Sequence, residues 1–91
     1  MVKQKRTLRK NALISTAFRM AADEGIISSR SMTLVMSINV LEQNGVHRLI
    51  DLERLDENTL WNFRNWGLIQ MEALRIVAKR FNVKLVPFRG Y

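Results

Sequence analysis

The sequence predicts an all-α fold: a compact domain of five helices, some of them very short, with a hairpin of helices in its core and an added N-terminal helix. Three observations support this prediction. Apolar residues recur at helical spacing through most of the 91 residues. Glycines and polar capping residues stand where these runs begin or end. No two stretches alternate between apolar and polar residues as paired strands do.

The first predicted helix covers residues 7–23. Thr7 is its expected N-cap, and Gly25 is expected to end it. Its inward stripe consists of Leu13, Ile14, Ala17, Phe18 and Ala21. Residues 26–31 follow as a connector that is too short and too apolar to be a flexible linker.

The second predicted helix covers residues 32–44, and Gly45 is expected to close it. A short turn of helix is predicted at residues 51–55. Asp56 is the expected N-cap of the next short helix, residues 57–63, because its carboxylate accepts backbone hydrogen bonds at the positive helix end.

The last predicted helix covers residues 68–81, and Asn82 is expected to end it in a left-handed conformation. A tight turn precedes it at Asn65-Trp66-Gly67. The inward residues of this hairpin are Leu60, Phe63, Trp66, Met71 and Leu74. Such a pattern is typical of helix-hairpin-helix modules, and it favours nucleic-acid binding.

The composition restricts the class of protein. A chain of this length with 47% hydrophobic residues forms a single domain, here a basic arm and N-terminal helix (1–24) followed by a body (33–85). The absence of cysteine excludes disulfides and thiolate chemistry. No apolar run approaches the roughly 20 residues that span a bilayer. We therefore expect a soluble, cytoplasmic protein that does not enter membranes.

The net charge of +7 is unevenly distributed. Residues 1–22 carry six basic side chains and no acidic one, and residues 73–91 carry five and none. Residues 23–72 carry four basic and eight acidic side chains. Because clustered positive charge attracts phosphates, we expect the two ends to bind nucleic acid and the middle to oppose it. The alternative is that the basic ends are merely solvated and serve solubility.

The candidate phosphate-binding residues of the two ends are Lys3, Lys5, Arg6, Arg9, Lys10, Arg75, Lys79 and Arg80. If the first and last helices are neighbours, the two groups form one basic patch.

The hairpin adds Arg64 and Gly67 to these candidates. Gly67 precedes a helix, where unpaired backbone amides can hold a phosphate. Alternatively, Gly67 only lets the chain turn with a positive φ angle. Arg64 either meets a phosphate at this turn or stacks on Trp61 or Trp66.

Several short motifs precede and include this hairpin: Ser37-Ile38-Asn39-Val40-Leu41, Gly45-Val46-His47, Ile50-Asp51-Leu52 and Asn65-Trp66-Gly67. Together with the long last helix, they make residues 33–85 resemble the carboxy-terminal domain of the bacterial RNA polymerase alpha subunit. The resemblance implies a helix-hairpin-helix-like body that contacts DNA, with Asn39 and Gly67 at family contact positions. It also implies that domains of this shape can recruit regulators or act as protein adaptors.

Three apolar residues replace charged residues of that family. Met36 stands where the family has its minor-groove arginine, and Leu68 and Ile69 stand where it has two phosphate-binding lysines. Gln70 occupies the position of the following serine. This face has therefore lost much of the positive charge that would neutralise phosphates.

The last helix carries a second apolar stripe, and the candidate protein-interface residues are Leu68, Ile69, Ala73 and Ile76. Either the N-terminal helix packs over this stripe, or the stripe serves dimerisation or docking on another protein.

Catalytic motifs are missing from the sequence. There is no Ser/His/acid or Cys/His set and no metal-ligand spacing around His47, the one histidine of the chain. We therefore expect no enzymatic activity, no metal site and no cofactor.

Two functions remain. The first is a small nucleic-acid-associated, transcription-related protein that binds the phosphate backbone through its basic ends. The alternative is a protein-binding adaptor or inhibitor that acts on RNA polymerase or another nucleic-acid machine.

Overall fold

The computed structural model of the protein describes residues 7–86. Its helices are α1 (Ile14–Asp23), α2 (Val35–Gln43), α3 (Leu49–Leu52), α4 (Glu57–Trp61) and α5 (Leu68–Arg80). Between residues 7 and 86 there is no strand, only two isolated bridges. The prediction of an all-α domain with five helices is confirmed. The candidate residues Lys3, Lys5 and Arg6 lie outside the described residues.

The segment before α1 is not helical, so the predicted helix start at Thr7 is wrong: the Ala12 N–H donates to the Arg9 carbonyl at 2.9 Å in a turn, and Leu13 is extended. Residues 10–14 lie antiparallel to residues 47–50, with a bridge between Leu13 and Arg48. The backbone N–H groups of Ile14, Leu49 and Ile50 donate to the carbonyls of His47, Ala12 and Lys10 at 2.8, 3.0 and 2.7 Å. Because these backbone groups are bonded across the pairing, this segment cannot form a helical ladder.

Asp51 holds residues 47–50, the second segment of this pairing, in place. Its Oδ2 atom accepts the backbone N–H groups of His47 and Arg48, each at 3.0 Å. Partial burial alone would raise the pKa of Asp51, but these two hydrogen bonds outweigh it and the pKa is lowered. The carboxylate thus caps α3, which begins two residues before its predicted start.

The predicted capping residues are confirmed, although α2 begins three residues later than predicted and α3 and α4 end three and two residues earlier. Gly25, Gly45 and Asn82 follow α1, α2 and α5 with left-handed φ angles of 76°, 82° and 57°. Asp56 caps α4, since its Oδ1 accepts the backbone N–H of Thr59 at 2.8 Å.

The core is shared by all five helices. Its largest fully buried apolar side chains are Phe18, Ile14, Leu41, Leu49, Leu52, Leu60, Met71 and Leu74. α1 packs against both α2 and α5, so the N-terminal helix is part of the body. Leu13, predicted in its inward stripe, is instead 46% exposed because it lies in the segment before α1.

We expect Phe18→Ala to lower the free energy of unfolding by about 3–5 kcal/mol, since it removes a fully buried ring. Urea denaturation followed by circular dichroism measures this change. Arg19→Ala, on the exposed side of α1, is the matched control and should change stability by less than about 0.5 kcal/mol. Equal effects of the two substitutions would contradict the placement of α1 in the core.

Candidate functional site

The segment before α1 and the end of α5 border a cleft of about 390 Å³. Its lining residues are Thr7, Leu8, Arg9, Lys10, Arg80, Phe81 and Asn82. This surface is called the basic cleft below, because Arg9, Lys10 and Arg80 bring positive charge from both ends of the chain. The two predicted basic groups therefore meet at these three residues.

Glu53, which follows α3, bonds to both basic ends. Lys10 Nζ lies 2.8 Å from Glu53 Oε2, and the backbone N–H of Lys84 donates to the same oxygen at 3.2 Å. The hydrogen bond from the Lys10 side chain, and then that from the Lys84 backbone, lower the pKa of Glu53. The Lys10 side chain nevertheless stays 51% exposed and accessible to a phosphate.

Arg80 is held by Glu24 at the end of α1. Its Nε and Nη2 atoms donate to the two carboxylate oxygens of Glu24, both at 2.7 Å. The Arg80 guanidinium carbon also lies 4.7 Å from the centre of the Phe81 ring. The hydrogen bonds to Glu24 raise the pKa of Arg80. Arg80 thus joins α1 to α5 and adds fixed positive charge to the basic cleft.

The other predicted basic residues of the body do not line this cleft. Arg75 donates to both carboxylate oxygens of Glu57 at 3.1–3.2 Å, which ties α5 to α4. Lys79 and Arg64 are exposed and form no ion pair within residues 7–86. Arg64 does not stack on Trp61, which is exposed, or on Trp66, which is buried.

The hairpin turn contradicts the interpretation that Gly67 turns the chain with a positive φ angle. Asn65 adopts the left-handed conformation with φ 67°, whereas Gly67 is extended with φ −128°. The backbone N–H of Gly67 donates to Gln70 Oε1 at 2.8 Å, so a side chain of the protein occupies the Gly67 amide, whereas the predicted anion site concerned the amides at the start of the helix that follows. A Cβ atom at position 67 would lie 3.3 Å from that oxygen, which favours glycine here for space rather than for φ.

Gln70 also connects the hairpin to the start of α2. Its Nε2 atom donates to the Met32 carbonyl at 2.9 Å and lies 3.6 Å from the Met36 sulfur. Gln70 is buried, and both ends of its amide are bonded. This side chain stabilises the hairpin against α2.

Asn39 lies in an apolar surface groove on α2. The groove has a volume of about 290 Å³ and is lined by Ser31, Met32, Val35, Met36, Asn39, Val40, Gln43 and Asn65. It is called the methionine groove below. Where the resemblance puts an arginine and an asparagine beside DNA, this chain has an asparagine among methionines.

The second apolar stripe of α5 is not covered by α1, so that alternative is wrong. Ile69 and Ile76 are 49% and 40% exposed although α1 contacts α5. Ala73 is buried, so it is the floor of the surface and not an exposed contact residue. With Ile26 from the connector, these residues form a shallow depression, called the α5 groove below. Leu68 is exposed beside the hairpin turn.

Within residues 7–86, no three His, Asp or Glu side chains are grouped to hold a metal ion. The backbone of His47 bonds to Asp51 and Ile14, and this residue serves the pairing with residues 10–14. No helix in that part of the chain is long and apolar enough to cross a bilayer.

Comparisons with protein-family models, curated proteins and solved structures gave no match to the chain. The resemblance to the polymerase alpha domain therefore stays a prediction from the sequence motifs.

The sequence analysis missed the acids that hold the basic residues. Glu24, Glu53 and Glu57 each form an ion pair with a basic residue of one chain end. The only sequence signal for them is the acidic excess of residues 23–72, which is an overall charge and specifies no partner.

We expect Glu53→Gln to lower the melting temperature near neutral pH and to have little effect in acid. The hydrogen bond from the Lys10 side chain, followed by that from the Lys84 backbone, lowers the folded-state pKa of Glu53 below the ordinary value of a glutamate. Its stabilising contribution is therefore complete above the unfolded-state pKa and is lost as the pH falls through the folded pKa. Thermal unfolding of both proteins between about pH 7 and pH 3 measures the difference.

The control is Glu42→Gln, an exposed acid without an ion pair within residues 7–86. A destabilisation by Glu53→Gln that is the same at all pH values would contradict the role of its charge.

Proposed function

We propose that this protein binds the phosphate backbone of nucleic acid, without catalysis, through the basic cleft and the basic residues that precede it. The observation that supports this proposal is the convergence of Arg9, Lys10 and Arg80 from opposite ends of the chain on one cleft. Lys3, Lys5 and Arg6 lie just upstream of Thr7 in the sequence. A role connected with transcription accords with the resemblance of residues 33–85.

Arg9 and Lys10 are the residues of the cleft that best suit phosphate contacts. Arg9 is exposed and forms no ion pair within residues 7–86. Lys10 is half exposed, and a phosphate can replace Glu53 as its partner. Such contacts neutralise the backbone and release counterions, but they do not read bases. Binding should therefore be salt-sensitive and weakly selective for sequence.

Arg9→Ala should weaken binding to duplex DNA and reduce the salt dependence of log K by about one unit of slope, because one phosphate contact is lost. Fluorescence anisotropy with a labelled duplex at several salt concentrations measures both quantities. Arg30→Ala is the matched control, since Arg30 is equally exposed and lies outside the cleft. It should retain the wild-type slope.

Two results would contradict the proposal. One is the absence of binding at low salt, and the other is an equal loss in the Arg9 and Arg30 variants, which would indicate attraction by net charge alone. A matching titration with single-stranded DNA and RNA identifies the preferred form of nucleic acid. Glu53→Gln provides a further test. This substitution should tighten binding to nucleic acid, because it releases Lys10 from its ion pair.

The methionine groove supports a second candidate, an adaptor that binds RNA polymerase or another nucleic-acid machine. Met32 and Val35 are 56% and 42% exposed, and both line this groove together with Met36. Flexible methionine side chains suit protein surfaces that must adapt to a partner. The groove occupies the face that the resemblance assigns to DNA, so an apolar partner replaces the nucleic acid there.

For this candidate, Val35→Lys should abolish binding to purified bacterial RNA polymerase, because it places a charge in the apolar groove. Bio-layer interferometry with immobilised polymerase measures the interaction. Leu13→Lys is the control, since Leu13 is similarly exposed and lies outside the groove. Failure of the unsubstituted protein to bind would exclude polymerase as the partner, and equal losses in both variants would exclude the groove.

A further inference from the structure

The α5 groove has the shape of a helix-packing surface. Two adjoining depressions of about 200 and 340 Å³ share Ile26 and Ile76 and extend along α5. Ile69 and Ile76 are seven residues apart, close to two helical turns, so they lie on the same side of the helix. The small side chain of Ala73 between them lets another helix approach closely.

Two residues of opposite charge lie on this same face. Glu72 lines the depression that contains Ile69, and Lys79 lines the other one together with Arg80, which is paired with Glu24. Glu72 and Lys79 are also seven residues apart. Neither forms an ion pair within residues 7–86, whereas the other charged residues of α5, Arg75 and Arg80, are bound to Glu57 and Glu24.

A face with this order of charges is complementary to itself. If two copies of α5 pack antiparallel about a two-fold axis near Ile76, Glu72 of each copy lies level with Lys79 of the other. Symmetry then forms both ion pairs at once. Ile76 lies near the axis and meets Ile76 of the second copy, while Ile69 lies level with the chain just beyond the C-terminal end of the opposing α5.

We propose that the α5 groove is a homodimer interface, in which a second copy of this chain covers Ile69, Ala73 and Ile76 and pairs its Lys79 with Glu72. The charge order favours a second copy over an unrelated helix, because the second copy supplies the complementary acid and base by symmetry. The interface is apolar along its centre and carries Glu72 and Lys79 from each copy, besides Arg80, whose charge is compensated by Glu24. The net charge of +7 per chain is therefore concentrated elsewhere.

The dimer would carry two basic clefts. Each cleft lies at the C-terminal end of α5, so antiparallel packing places the two clefts toward opposite ends of the paired helices. A nucleic acid long enough to reach both would bind more tightly than to one cleft, since the second contact is intramolecular. The dimer itself is independent of this consequence.

Analytical ultracentrifugation of the full chain, without nucleic acid, tests the proposal from micromolar to sub-millimolar concentrations. We expect the mass to rise from the 10.6 kDa of one chain to twice that value. Glu72→Lys and Lys79→Glu should each raise the dissociation constant about tenfold or more, because each places like charges opposite one another. The double variant E72K/K79E should restore most of the affinity, since both pairs are re-formed with reversed polarity.

Ile76→Lys should abolish the dimer, and circular dichroism verifies that this variant is folded. Val35→Lys is the matched control, because Val35 is 42% exposed, as Ile76 is 40% exposed, but lies in the methionine groove. It should dimerise as the wild type does. A monomeric mass at every concentration would overturn the proposal and leave this face to a different protein. A dimer that is insensitive to all three α5 substitutions would overturn it as well.

Discussion

The backbone pairing of residues 10–14 with residues 47–50 determines where the basic N-terminal segment lies. Its hydrogen bonds of 2.7–3.0 Å hold the segment against residues 47–50, and Arg48 Nη1 adds a bond of 2.6 Å to the Asn11 carbonyl. If these residues continued α1 instead, Lys10 would lie on a helix surface, away from Glu53. The pairing thus places the basic N-terminal segment along one side of the cleft. It uses backbone hydrogen bonds, which do not depend on the side chains of this segment.

The acidic middle of the chain positions the basic ends rather than only repelling phosphates. Glu53, Glu24 and Glu57 bind Lys10, Arg80 and Arg75 respectively. Exposed ion pairs of this kind contribute little to stability individually. They do determine which basic side chains are held in place and which remain free to move. Arg80 is the most enclosed, with 11% of its side chain exposed, and Lys10 is the most accessible, with 51%. The proposed binding of phosphate therefore depends on exchange of partners at Lys10 and on Arg9, which has no ion-pair partner within residues 7–86.

Local chemistry made much of the fold predictable, whereas long-range contacts explain the failures. The caps at Gly45, Asp56 and Asn82 depend on one or two neighbouring residues, and the structure confirms them. The wrong start at Thr7 results from hydrogen bonds between segments more than 30 residues apart. Basic candidates were visible as charge in the sequence, but their acidic partners were not, since pairing depends on how the helices pack. The sequence also did not determine whether the second apolar stripe of α5 is exposed. A helix side that is buried in the core and one that docks a partner show the same apolar periodicity.

Gln70 limits which ligands the hairpin turn at residues 65–67 can bind. A phosphate bound to the Gly67 amide would have to displace the Gln70 Oε1 atom, and the same side chain is anchored by the Met32 carbonyl. Leaving a buried amide without its hydrogen bonds costs about 1–3 kcal/mol, a cost that a lysine-bearing hairpin with an open amide would not incur. Apolar residues follow at Leu68 and Ile69, so no cation at the start of α5 offsets this cost. The proposed phosphate binding is therefore assigned to side chains of the basic cleft and not to the Gly67 amide.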